Sequence, residues 1–143
     1  MSNIKEAMDY FKEGFSCSQA VFAAYAPKFG LDQETALKIS GPFGGGIGGM
    51  GETCGVVTGA LMVVGLKDGV IVSDPEEKAK VKAKAQEFIN KFKTKNKNIT
   101  CIKLLGCDIS TEEGMEIVKE KELIDKVCSN LVKDAGEVLE EIL

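Results

Sequence analysis

Five cysteines stand at positions 17, 54, 101, 107 and 128 of this 143-residue chain. As thiolates they are nucleophiles, reductants and soft metal ligands, and their pKa sets how much of each is ionised. None forms a C-x-x-C pair; the nearest two, Cys101 and Cys107, have five residues between them. The spacing therefore indicates neither a thioredoxin-type pair nor a zinc ribbon. Any site must be assembled by tertiary folding, as cofactor sites are between the facing helices of a bundle. The cysteine count is odd, and the opening residues MSNIKEAMDYFKEG carry scattered charge in place of an apolar signal core. We expect a cytoplasmic protein whose cysteines serve thiol chemistry or metal binding and not a disulfide framework.

The residue types that are missing narrow the chemistry further. There is no histidine, which removes imidazole acid–base catalysis and histidine ligation. All 18 basic residues are lysine, so no guanidinium is present to clamp phosphate or carboxylate in two-point fashion. A net charge of -4 gives no general attraction to nucleic acid or to anionic lipid. The longest apolar run, residues 56–66, is too short to span a bilayer. Neither nucleic-acid binding nor membrane insertion is expected.

Ahead of Cys54 lies GPFGGGIGGMGETCGVVTG, residues 41–59. Its Gly46-Ile-Gly48-Gly-Met-Gly51 segment satisfies G-x-G-x-x-G, the dinucleotide fingerprint. That fingerprint needs a buried strand before its first glycine. Here residues 34–40 have helical period behind a capping Asp32, and no Gly-Lys-Ser/Thr follows, so no nucleotide is expected. The glycines instead permit positive φ and can turn several N–H groups toward one anion or thiolate. Gly48, Gly49, Gly51 and Gly55 are the positions at which backbone would approach a cofactor or thiol. Gly55 and Gly59 lie four apart on one helix side, where they admit another helix, within the chain or in a homodimer.

These residues are positioned by helices. Apolar spacing predicts a first helix over residues 3–12. Ser16 and Gln19 form a capping box that starts a second helix with Cys17 at its first position and carries it to about residue 27. Asp32 caps a third over 33–40, and a fourth covers 53–67 with Cys54 in its first turn. Helix N-termini lower thiol pKa, so both Cys17 and Cys54 are favoured, although the charge of Glu52 would oppose this at Cys54. Asp74, Pro75 and Glu77 open a long fifth helix with Phe88, Ile89 and Phe92 on one face and lysines on the other. A short helical turn covers 101–105. A Ser110–Glu113 capping box starts another helix, and the last covers 123–142 with Cys128 on its inner face. The expected fold is all-α: one domain over 1–143, a compact bundle of six to seven helices with a glycine-rich loop before a central buried helix.

At Phe15-Ser-Cys17-Ser-Gln-Ala20-Val21 and Cys54-Gly55-Val-Val-Thr58-Gly59 the chain resembles the C_GCAxxG_C_C family, small proteins described as redox-active and named for their cysteines. The resemblance covers essentially the whole chain. It implies four characteristic cysteines: Cys17, Cys54, Cys101 and Cys128. Cys107 is then the extra one, with its exchange for Cys101 left open. Val56 replaces the alanine of the family motif.

Three functions follow. The first is cysteine-based redox chemistry with Cys54 as the reactive thiolate. Cys17, Cys101 or Cys128 would resolve it or relay electrons to a redox partner or small-molecule donor. The second is a zinc or iron–sulfur site held by Cys17, Cys54, Cys101 and Cys128, since four thiolates suit a tetrahedral centre. The third is a helical interaction module in which the cysteines only pack, as small buried hydrophobes.

Overall fold

In this computed structural model, which describes residues 2–143, the chain forms eight α-helices. They are α1 (Ser2–Lys12), α2 (Cys17–Tyr25), α3 (Gln33–Ser40), α4 (Gly55–Asp68), α5 (Pro75–Asn96), α6 (Cys101–Leu105), α7 (Glu112–Glu120) and α8 (Ser129–Ile142). The described residues contain no strand, only one isolated antiparallel bridge between Thr53 and Thr100.

Two helices are apolar all round, and such helices belong inside. In α2, Ala20 through Tyr25 are all buried; in α4, so are Val56, Val57, Ala60, Val63 and Val64. They pack on one another closely because α4 turns glycines toward α2. A Cβ on Gly59 would lie 2.8 Å from the Ser18 carbonyl oxygen. The glycine face expected to receive a neighbouring helix is thus taken by α2 of the same chain.

The amphipathic helices wrap this pair. On α5, Phe88 and Phe92 are buried and their rings stack at 5.9 Å while most of its lysines are exposed. Burying each ring contributes roughly 2–3 kcal/mol. From α8 come Val132, Ala135, Val138 and Leu139, all fully buried. The Tyr25 hydroxyl donates to Glu140 Oε2 (2.8 Å) and ties α2 to α8. A second, smaller core is formed by Cys101, Leu105 and Val118, with Cys107, Ile109 and Leu123 against it.

Local chemistry explains where boundaries depart from expectation. The helix begun at Cys17 stops at Tyr25, and Ala26–Phe29 tightens into a 3₁₀ turn around Pro27 that ends on Gly30. Thr111, not Ser110, caps α7, with its Oγ1 accepting from the Gly114 N–H at 3.0 Å. Ser110 is held by Asp108, to which both its N–H (3.0 Å) and its hydroxyl (2.6 Å) donate. The expected last helix divides, because Ile124–Cys128 is a wide π turn that precedes α8. The bundle has eight helices where six to seven were expected.

Candidate functional site

The start of α2 is fixed from two sides. Gln19 Oε1 accepts from the Ser16 N–H (3.0 Å), and Ser16 Oγ accepts from the Gln19 N–H (3.4 Å), which completes the predicted capping box. The Gln19 amide also donates to the Leu37 carbonyl (3.1 Å), and the buried Ser18 hydroxyl to that of Ser40 (2.8 Å). Cys17 is therefore presented by a rigid corner between α2 and α3.

The glycine loop wraps over this corner. Residues 45–49 all have φ between +62° and +74°, a left-handed stretch that four glycines and one isoleucine supply. The amides of Gly48, Gly49 and Gly51 close the loop on itself, donating to the carbonyls of Pro42 (2.7 Å), Gly44 (3.1 Å) and Gly45 (3.1 Å). Of the four glycines expected to approach a cofactor or thiol, those three use their N–H groups internally. The amide of Gly55 does reach a sulfur, that of Cys17, and Gly45, which was not among the four, does the same.

Cys54 is the N-cap of α4 and is buried. Its backbone is pinned across the Thr53–Thr100 bridge: the Cys54 N–H donates to the Ile99 carbonyl and the Cys101 N–H to that of Glu52, each at 2.7 Å. This short ladder brings Cys101 beside Cys54. Cys128 arrives by another route, at the end of the π turn, a feature frequent at functional sites.

The sulfurs differ sharply in acidity. Cys17 is lowered to about 7 by a hydrogen bond from the Cys54 thiol, aided by the Gly45, Ser18 and Gly55 amides and opposed by burial. Cys54 is pushed up by that same pairing and by burial, because it must keep its proton to donate. Burial and then the charge on Cys17 raise Cys101 to about 11. The same causes raise Cys128 to about 12. Glu52 is exposed and is not among the groups that raise Cys54. The shifts of the pair run in opposite directions, Cys17 down and Cys54 up, where the helix starts alone favoured both. Beyond the helix start itself, Cys17 receives the Gly45 amide of the glycine loop and the Gly55 amide of α4, and Cys54 the Val56 amide.

All four sulfurs line one cavity of about 400 Å³ at the seam between the two cores. Phe11, Phe15, Leu104, Leu105, Met115 and Val118 form much of its wall. Cys107 is not on that wall; it packs within the smaller core, which favours Cys101 as the third site cysteine. Sequence reasoning did not identify this apolar wall, although Phe15 beside Cys17 was a signal for it. All five cysteines are free thiols. Among the described residues no group of three or more Cys, His, Asp or Glu side chains is placed to hold a metal ion. The four thiols border one space without converging on one point, so as placed they do not fit a zinc or iron–sulfur centre.

An all-helical fold that gathers four thiols around an apolar cavity defines a cysteine-centred helical protein. Residues 15–142 match the family model described as "Putative redox-active protein (C_GCAxxG_C_C)", and the chain belongs to that family. No curated protein and no solved structure matches it significantly. Among the described residues no helix is long and apolar enough to cross a membrane.

Proposed function

We propose that this protein exchanges electrons through a dithiol–disulfide couple formed by Cys17 and Cys54. The observation that carries the reading is that Cys17 and Cys54 border one cavity, with Gly55 of α4 packed against the Cys17 sulfur; the pairing with Cys54 and three backbone amides draws Cys17 down. An attacking thiol is most effective when its pKa lies near ambient pH, and that of Cys17 is about 7. The Cys17 thiolate attacks one sulfur of an oxidised substrate disulfide, and the other sulfur leaves as a thiolate that takes up a proton. Cys54 then loses its proton and attacks Cys17 Sγ. That releases the substrate's second thiol and closes the protein disulfide. Two protein thiols are oxidised, and one substrate disulfide is reduced to two thiols. Cys101 and Cys128, held protonated at neutral pH, border the pair as reserve thiols.

The reading is tested by equilibrating the native chain against a dithiothreitol couple and mapping disulfides by mass spectrometry. A single bond between the Cys17 and Cys54 peptides is expected, lost in Cys17→Ala and in Cys54→Ala. Five free thiols at every redox poise would remove the proposal. The metal alternative rests on the four thiols sharing one cavity and requires them to move together. Anaerobic iron and sulfide, or zinc, taken up stoichiometrically with a thiolate charge-transfer band, would favour it. A purely packing role for the cysteines leaves the amide donors around Cys17 without a purpose.

A further inference from the structure

The cavity above Cys17 has a chemical bias of its own. Aromatic and aliphatic side chains, glycine backbone, four thiols and the Ser16 hydroxyl make its lining, and among the described residues no charged side chain lines it. Its contributors come from distant parts of the chain: Phe11 and Phe15 on one side, Leu104 and Leu105 on α6, and Met115 and Val118 on α7. Desolvating an anion costs several kcal/mol unless a cation or several hydrogen-bond donors replace its water. The amides that face the cavity sulfur already serve Cys17. A carboxylate-bearing disulfide entering this space would find no partner and would also meet the negative Cys17.

Size sets the second limit. An apolar cavity of about 150 Å³ holds one benzene ring. The volume of about 400 Å³ here admits roughly two rings, near the lower end of small-molecule sites.

We propose that the substrate is an uncharged, apolar organic disulfide of up to two rings, bound in this cavity against the Cys17 sulfur. The inference rests on the dithiol reading for its chemistry and on the cavity wall for its selectivity. Peptide disulfides bearing carboxylates are thereby disfavoured. Electrons balance as above: each substrate disulfide accepts two and leaves as two neutral thiols, while Cys17 and Cys54 join.

Two measurements separate the cavity from the chemistry. In the first, reduced protein is mixed with neutral 4,4′-dithiodipyridine or dianionic 5,5′-dithiobis(2-nitrobenzoate), and each rate is divided by that of the urea-unfolded chain. The normalised rate for the neutral reagent should exceed that for the anionic one at least tenfold, with two equivalents of thiol released per Cys17–Cys54 pair. Met115→Lys, which places a cation on the wall, should reverse part of that preference. Equal normalised rates would overturn the selectivity while leaving the dithiol reading intact. In the second, 4,4′-bipyridine and biphenyl-4,4′-dicarboxylate, which have no disulfide, are titrated against methyl-labelled protein. Shifts at the Leu104, Met115 and Val118 methyls with the neutral compound alone are expected. No shift at these methyls, or equal shifts from both compounds, would overturn the cavity assignment whatever the thiols do.

Discussion

Gly55 stands so close to the Cys17 sulfur that a Cβ at position 55 would overlap it. Alanine in place of an ordinary helical glycine stabilises by up to about 1 kcal/mol. At Gly55 the sign should invert. The added methyl must displace Cys17 Sγ or part α2 from α4, and such overpacking costs about 1–3 kcal/mol. Gly65, on the same helix, is the matched control, because a methyl added there would meet nothing within 4 Å. Urea unfolding should show Gly55→Ala destabilised and Gly65→Ala unchanged or slightly stabilised. A stabilised Gly55→Ala would contradict the close approach.

The pH dependence of alkylation should report Cys17. With its pKa near 7, against an ordinary thiol value of 9.0, the reactive thiolate is half formed at neutral pH. The iodoacetamide rate at Cys17 should rise through pH 7 and level off by about pH 8, while an ordinary cysteine would still be accelerating. Removing the donor in Cys54→Ala should move the midpoint upward. Cys54→Ser, which keeps a hydroxyl donor, should restore part of the shift. Peptide-resolved mass spectrometry at each pH gives the midpoint, and one near 9 in the wild type would contradict the assignment.

The crowded side of the glycine loop should tolerate substitution far less than its open side. Both Gly46 and Gly48 have positive φ, at +71° and +62°, so alanine carries backbone strain of about 1–2 kcal/mol at either. At Gly46 the new Cβ would also lie 2.7 Å from the Cys101 Cβ and 2.7 Å from the Glu52 nitrogen; at Gly48 it meets nothing within 4 Å. We expect Gly46→Ala to cost about 3 kcal/mol and Gly48→Ala about 1, as read by urea midpoints.

Cys107 lies off the cavity wall, so Cys107→Ser should leave the rate and pH midpoint of Cys17 alkylation within about twofold of wild type. Tyr25→Phe, by contrast, removes the hydroxyl that reaches Glu140 and Gly136 and should cost about 1 kcal/mol in stability. A large change in Cys17 reactivity on replacing Cys107 would place that cysteine in the site after all.

Much of the architecture was legible because its signals are local. Asp32 before Gln33–Ser40 and Asp74-Pro75 before the long fifth helix are caps whose partners lie within a turn, and both helices begin where expected. The capping box at Ser16 placed Cys17 at the first position of α2 correctly. The opposite shifts of Cys17 and Cys54 were not legible. Each begins or caps a helix, and what distinguishes them is which receives the Gly45 and Gly55 amides, a matter of tertiary contact. The π turn at Ile124–Cys128 was equally hidden, because one extra residue in a turn does not erase an amphipathic period. Cys101 and Cys107 could be separated only once the Thr53–Thr100 bridge had set one of them beside Cys54.

The left-handed run at residues 45–49 has an evolutionary corollary. Every single-nucleotide change in a glycine codon that alters the amino acid introduces an L-residue with a Cβ, the group this handedness penalises. Neutral drift is therefore penalised at all four glycines, most at the crowded Gly45 and Gly46, and Ile47 is the one place where the stretch already tolerates a branched side chain, at φ +64° and 41% exposed. Variation in this loop should accumulate at that codon first, and a chain carrying glycine there would gain backbone ease at a position off the cavity wall.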